Sequence, residues 1–247
     1  IDELQNNDRI VGGMNNSSTT EATEFYRVIT KGTCHSATAE TAELAKLTEN
    51  SFRDTNIAFA SELSIICDKL GVDVWKLVEL VNCHPRVKVL QPSAGVGGHC
   101  IAVDPWFIVQ SCPEDAVIIR TARERNDYKP KWVAAKILER AKSINAQKIS
   151  CFGLAFKPDI DDFRESPALK IVKDLSENFG GALSNVEPYT DSIPISLDSE
   201  KIRLELQHEA TQSSDLIVFL VNHKVFSNCE IPSHIEVLDF CGLRKLS

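Results

Sequence analysis

Lys148-Ile149-Ser150-Cys151-Phe152-Gly153-Leu154 decides the fold. A short, mostly apolar run ending at a glycine reads as a strand buried on both faces. Downstream, the pattern predicts a helix over 166–179, a short strand at Asn185-Val186-Glu187 and a helix over about 200–213. Further strands are expected at Asp215–Val221 and Glu236-Val237-Leu238-Asp239. Strands alternating with helices predict a parallel, doubly wound sheet and an α/β fold class.

Upstream of residue 145 the texture is helical. From about Thr38 to Leu70 there is no Gly or Pro, and Ala42, Ala45, Phe52, Ile57, Ala60, Leu63, Ile66, Cys67 and Leu70 recur at helical spacing. One long helix, stopped by Gly71, is expected. Its length suits a joint between domains or a packing surface between two subunits. Asp73 is placed to cap a second helix that runs out before Pro85. Pro85, Pro92, Gly95, Gly97, Gly98 and Pro105 mark a loop-rich stretch over 85–107. Two helices, Glu114–Asn126 and Pro130–Ile144, are expected next. Near the start, a helix over 20–31 follows a turn and short strand at Asn7–Met14, as though a sheet were already under way. Ile1 opens no signal peptide, and because the sheet is already under way at the start the chain is expected to be a fragment.

The 247 residues carry 27 Lys+Arg against 35 Asp+Glu, a net charge of −8. That balance disfavours sequence-independent nucleic-acid binding, which draws on surplus basic groups. No apolar run reaches the roughly 20 residues that span a bilayer, so no membrane partner is expected. The eight cysteines include no CxxC pair, which speaks against disulfide stapling and structural zinc and suits a cytoplasmic location.

The sharpest chemical feature is Gly95-Val96-Gly97-Gly98-His99-Cys100-Ile101-Ala102-Val103-Asp104. Closely spaced glycines permit near approach of the backbone to a ligand and expose amides. A cysteine directly after them, with a carboxylate four residues on, reads as a nucleophile with a partner on one helical face. A glycine turn followed by a buried small hydrophobe is the plainer alternative. Lys46 and Asn50, one turn apart on the long helix, present two donors suited to a developing oxyanion, or else a solvated helix face.

These segments, with Thr41-Ala42-Glu43-Leu44-Ala45-Lys46-Leu47-Thr48-Glu49-Asn50, His84-Pro85-Arg86-Val87, Pro105-Trp106-Phe107 and the run from Phe152-Gly153-Leu154-Ala155-Phe156-Lys157-Pro158 to Asp161-Asp162-Phe163-Arg164-Glu165-Ser166-Pro167, closely resemble the UDP-glucose/GDP-mannose dehydrogenase family. Within it, the chain is similar to the branch that oxidises UDP-N-acetyl-D-mannosamine or UDP-N-acetyl-D-glucosamine at C6, using NAD, for surface polysaccharide synthesis. The resemblance implies residues 1–33 as a remnant of an N-terminal dinucleotide domain. It implies 34–145 as an all-helical central dimerisation domain and 146–247 as a C-terminal Rossmann-like UDP-binding domain. No GxGxxG fingerprint is present, so the main NAD domain is expected to be missing and this chain alone inactive.

The resemblance also implies roles. Cys100 attacks an aldehyde to give a thiohemiacetal and then a thioester. Lys46 and Asn50 stabilise oxyanions, and Asp104 orients the lysine and water. Arg86 reaches a substrate in the neighbouring subunit of a homodimer formed through the long helix. Gly95, Gly97 and Gly98 lie along the sugar, Lys157 near the UDP, and Arg164 near the cofactor or in an ion pair with Asp162 or Glu165. No metal is implied. Ser93-Ala94, Ala102 and Cys241 depart from common family residues; Ala102 favours the N-acetylhexosamine branch over glucose. A non-catalytic module that binds UDP and dimerises is the competing reading.

Overall fold

The computed structural model describes residues 2–192 and 202–244. The chain divides into two compact units, the first ending at Phe52 and the second beginning at Arg53.

The first unit contains helix α1 (Asp2–Asn6), strand β1 (Arg9–Gly13), helix α2 (Asn16–Ile29), strand β2 (Cys34–Thr38) and the start of helix α3 (Ala39–Leu70). β1 and β2 pair in parallel from Arg9↔Cys34 to Gly13↔Thr38, with α2 as the crossover. Asn15 begins α2 with a reciprocal cap, its side chain accepting from the Ser18 amide while the Ser18 hydroxyl accepts from the Asn15 amide. That cap starts α2 earlier than the helix expected over 20–31. β2 was not expected, because Cys34-His35-Ser36-Ala37-Thr38 has no apolar alternation; pairing with β1 makes it a strand.

The second unit holds the rest of α3, helix α4 (Val74–Val81), helix α5 (Asp104–Ser111), helix α6 (Val117–Ser143) and a five-stranded parallel sheet. Asp73 caps α4 by accepting from the Trp75 and Lys76 amides, as expected. The two helices expected over 114–144 are instead the single α6, with Pro130 inside it. An internal proline costs roughly 3 kcal/mol. Here the ring is buried and fills the space beside Gly95, where a Cβ would stand 2.9 Å from the Pro130 Cγ.

The sheet is formed by β3 (Lys148–Phe152), β4 (Ala182–Val186), β5 (Ile202–Leu204), β6 (Leu216–Phe219) and β7 (Glu236–Asp239), in the order β5-β4-β3-β6-β7. Helix α7 (Pro167–Asn178) and helix α8 (Gln207–Ser213) lie among them in the chain. The parallel, doubly wound sheet is the α/β architecture expected. The helix expected over 200–213 is corrected: Ile202–Leu204 pairs with β4 as an edge strand, and only Gln207–Ser213 is helical. Residues 200 and 201 lie outside the described residues. The core joins Val133, Ile137, Ile149, Cys151, Ile171, Val172, Leu175, Leu216 and Val218. Each large aliphatic side chain so buried contributes roughly 1.5–3 kcal/mol.

Candidate active site

The sheet order reverses between β3 and β6, and ligands of such folds sit beyond the carboxyl ends of the strands at that point. Gly153 leaves β3 there with φ +92°, and a Cβ on it would stand 2.5 Å from the Val221 Cβ. The loop that follows is fastened at several points. Glu187, at the end of β4, accepts from the Leu154 amide at 2.6 Å and the Ala155 amide at 3.1 Å. Its Oε2 also lies 3.3 Å from the His223 Nε2, both side chains being fully buried. His223 Nδ1 accepts from the Asp159 amide, and Asp159 accepts from the Lys224 amide and the Tyr189 hydroxyl. Burial pushes the Glu187 carboxyl up, but the His223 contact and the two amides outweigh it and hold the group below its ordinary value. Ser166 closes the loop, donating to the Leu154 carbonyl and capping α7.

Against this loop lies the glycine turn. The Gly98 amide donates to the Arg164 carbonyl at 3.1 Å. A Cβ on Gly97 would come within 2.8 Å of the Glu165 carbonyl, the Phe156 Cβ and the Pro167 Cδ; one on Gly98, at φ +83°, would meet the Phe156 ring at 3.0 Å. Close packing therefore accounts for the absent side chains at Gly97 and Gly98. Cys100 follows, exposed, and its carbonyl accepts from the amides of Val103 at 3.0 Å and Asp104 at 2.8 Å. That helical turn leads into α5, so Cys100 and the half-buried Asp104 stand one turn apart. Asp104 is itself engaged with a neighbouring group.

Arg164 is locked by Asp162, whose carboxylate accepts from its amide and Nε at 3.0 Å. The Asp162 hydrogen bond, then its charge, raises Arg164, with Cys100 acting in the same direction. The guanidinium thus lies within electrostatic reach of the thiol. Arg164 in turn holds the Asp162 carboxyl down to about 2. Glu165, the other candidate partner, pairs with Lys170 instead. Lys157 and Arg86 are exposed.

In the first unit, Lys46 and Asn50 stand one turn apart on α3. Lys46 is exposed and 3.3 Å from Glu49, whereas Asn50 is buried and hydrogen-bonded or otherwise engaged. The Glu187–His223 clasp joins residues far apart in the sequence, and nothing in the local pattern around His223 points to it. An acidic residue just before Pro188 at a strand end was the available signal.

Residues 40–128 match the central domain of the UDP-glucose/GDP-mannose dehydrogenase family, and 150–239 match the UDP binding domain of the same family. The chain is 52% identical over 242 residues to a UDP-N-acetyl-D-mannosamine dehydrogenase of Campylobacter jejuni, covering 98% of this chain and 59% of that protein. It is 50% identical over 224 residues to an NDP-N-acetyl-D-galactosaminuronic acid dehydrogenase of Ralstonia solanacearum, covering 91% and 52%. Among solved structures it resembles the UDP-N-acetyl-mannosamine dehydrogenase of S. aureus, with TM-score 0.83 and 35% identity over all of this chain and 58% of that one. The chain thus spans somewhat over half the length of these relatives.

Proposed function

Because the chain belongs to the UDP-glucose/GDP-mannose dehydrogenase family, we propose that it is the thiol-bearing and UDP-binding part of an NAD-dependent UDP-N-acetyl-D-mannosamine 6-dehydrogenase. The whole enzyme turns the C6 alcohol into a carboxylate, a four-electron oxidation in which two NAD+ would take the hydrides, one as the alcohol becomes an aldehyde and one as the Cys100 adduct becomes a thioester. The observation that carries this reading is the exposed Cys100 in a turn seated on the 153–166 loop, with Asp104 one helical turn away. The Cys100 thiolate adds to the C6 aldehyde carbon, forming the Sγ–C6 bond, while Lys46 and Asn50 donate to the oxyanion. In the last step, water adds to the thioester carbon, the Sγ–C6 bond breaks and the carboxylate leaves, with Asp104 orienting that water. Gly95, Gly97 and Gly98 line the sugar with their backbone, Lys157 meets the UDP phosphates, and Arg164 lies at the cofactor side. Arg86 serves the neighbouring subunit of a homodimer. Phe59, Ile66 and Leu70, exposed at spacings of seven and four on α3, support that interface. Free thiols at all eight cysteines support a cytoplasmic setting.

The residues present do not fit a dinucleotide. Gly12 and Gly13, the last residues of β1, are filled against the Thr38 carbonyl and against Ser18 and the Thr19 amide. Gly153 is filled by Val221. None leaves the open cradle that a pyrophosphate needs, and no hydride step is assigned to these residues.

Titrating this chain with UDP and with NAD+ separately is expected to show UDP binding and almost no NAD+ binding; tight NAD+ binding contradicts the assignment. The sugar is settled by assaying the full-length enzyme on UDP-N-acetylmannosamine, UDP-N-acetylglucosamine and the N-acetylgalactosamine epimer side by side. The Ralstonia relative, at nearly equal identity, makes the last the comparison to beat.

A further inference from the structure

A cavity of about 570 Å³ opens between α6, the last turns of α3, the cap of α4 and the edge strand β7. Its size is that of a small-molecule site, and neither residues 94–104 nor the 153–166 loop line it. Trp75, Trp132 and Phe240 wall it, the last two meeting edge to face at 6.2 Å. Lys129 reaches this cavity from α6 with only 2% of its surface exposed to solvent. Its Nζ lies 2.7 Å from the Ser64 Oγ and 3.9 Å from the centre of the Trp132 ring.

The other charged groups around it are already engaged. Lys136 takes Asp68 and Glu139, and Arg140 takes Glu236. Asp73 caps α4, and Asp239 accepts the amides of Cys241, Gly242 and Arg244. Lys129 forms no salt bridge among the described residues. Burial lowers it to about 7, against the pull of the Asp68 charge, whereas Lys136, two turns on, is raised by its carboxylates. The thiol that lines the cavity, Cys67, is pushed up by burial and then by Asp73, and so stays protonated. A confined amine with a substantial neutral fraction near pH 7 is a nucleophile for carbonyl carbon. Aromatic walls select a flat ring, and four carboxylates against Lys136 and Arg140 disfavour an anionic one.

We propose that this cavity takes a small, uncharged aromatic aldehyde or ketone, and that the Lys129 Nζ captures it as an imine. The nitrogen lone pair forms the N–C bond; the carbonyl oxygen departs as water, carrying the two hydrogens lost from the amine. The Ser64 hydroxyl is placed to pass a proton to that oxygen. No electrons change hands, so no oxidant or reductant enters.

The test is to treat the full-length protein at pH 7.5 with benzaldehyde, trap with cyanoborohydride and map the labelled peptides. Lys129 is expected to label about tenfold or more faster than the exposed Lys131 and Lys173, with its rate levelling off above pH 7. Pyridoxal phosphate is expected to label it more slowly than benzaldehyde. Label confined to exposed lysines, or a Lys129 rate that tracks theirs with pH, overturns the proposal. Equal labelling by the two probes overturns the uncharged class.

Discussion

Cys100 and Cys151 each stand two residues from a glycine of positive φ, yet their surroundings are opposite. Cys100 follows Gly98 in an exposed turn. Cys151 precedes Gly153 inside β3, fully buried, and burial alone pushes its thiol up to about 12. The comparison teaches that a thiol's access to solvent is set by its seat rather than by the residue: one glycine seats a turn on a neighbouring loop, the other lets two strand ends close together.

Replacing each sulfur sharpens this contrast most. In the full-length enzyme, Cys100→Ser is expected to lower net acid formation by about 10³-fold or more while the melting temperature stays put. Full activity in that variant breaks the comparison. Cys151→Ser is expected to do the reverse, costing about 1–3 kcal/mol in denaturant unfolding through a buried hydroxyl, with kcat little changed. Gly98→Ala tests the turn itself. A left-handed backbone costs an L-residue about 1–2 kcal/mol, and the new methyl meets the Phe156 ring, so stability and activity should fall together. A smaller effect concerns the clasp beneath the loop. Glu187 is held below its ordinary value, so it binds fewer protons folded than unfolded around pH 4. Its contribution is therefore complete above the unfolded pKa, about 4.3, and is lost as pH falls through the lower folded value. Glu187→Gln should flatten the acid limb of a stability-against-pH curve; an unchanged limb refutes the role given to the clasp.

Much of the second unit was legible in the sequence for a simple reason. Strands such as Leu216–Phe219 are buried on every side and read as unbroken apolar runs, and α3 has no helix breaker between Ala39 and Leu70. Errors fell where a distant partner overrides the local signal. Pro130 sits inside α6 because Gly95 leaves room for its ring, and Ile202–Leu204 is a strand because β4 lies beside it. Cys100, Asp104, Lys46 and Asn50 stood out through spacing and resemblance. Glu187 with His223, and Lys129 with Ser64, are separated by 36 and 65 residues, so no local pattern announces them.

The way Gly95, Gly97 and Gly98 press against Pro130, Phe156 and Pro167 has a practical side. Residues 92–104 are not a portable cassette. Grafted into another scaffold without matching prolines and phenylalanine beneath it, the thiol loop would arrive without its foundation. A designer wishing to transplant this cysteine turn must carry three distant segments along with it.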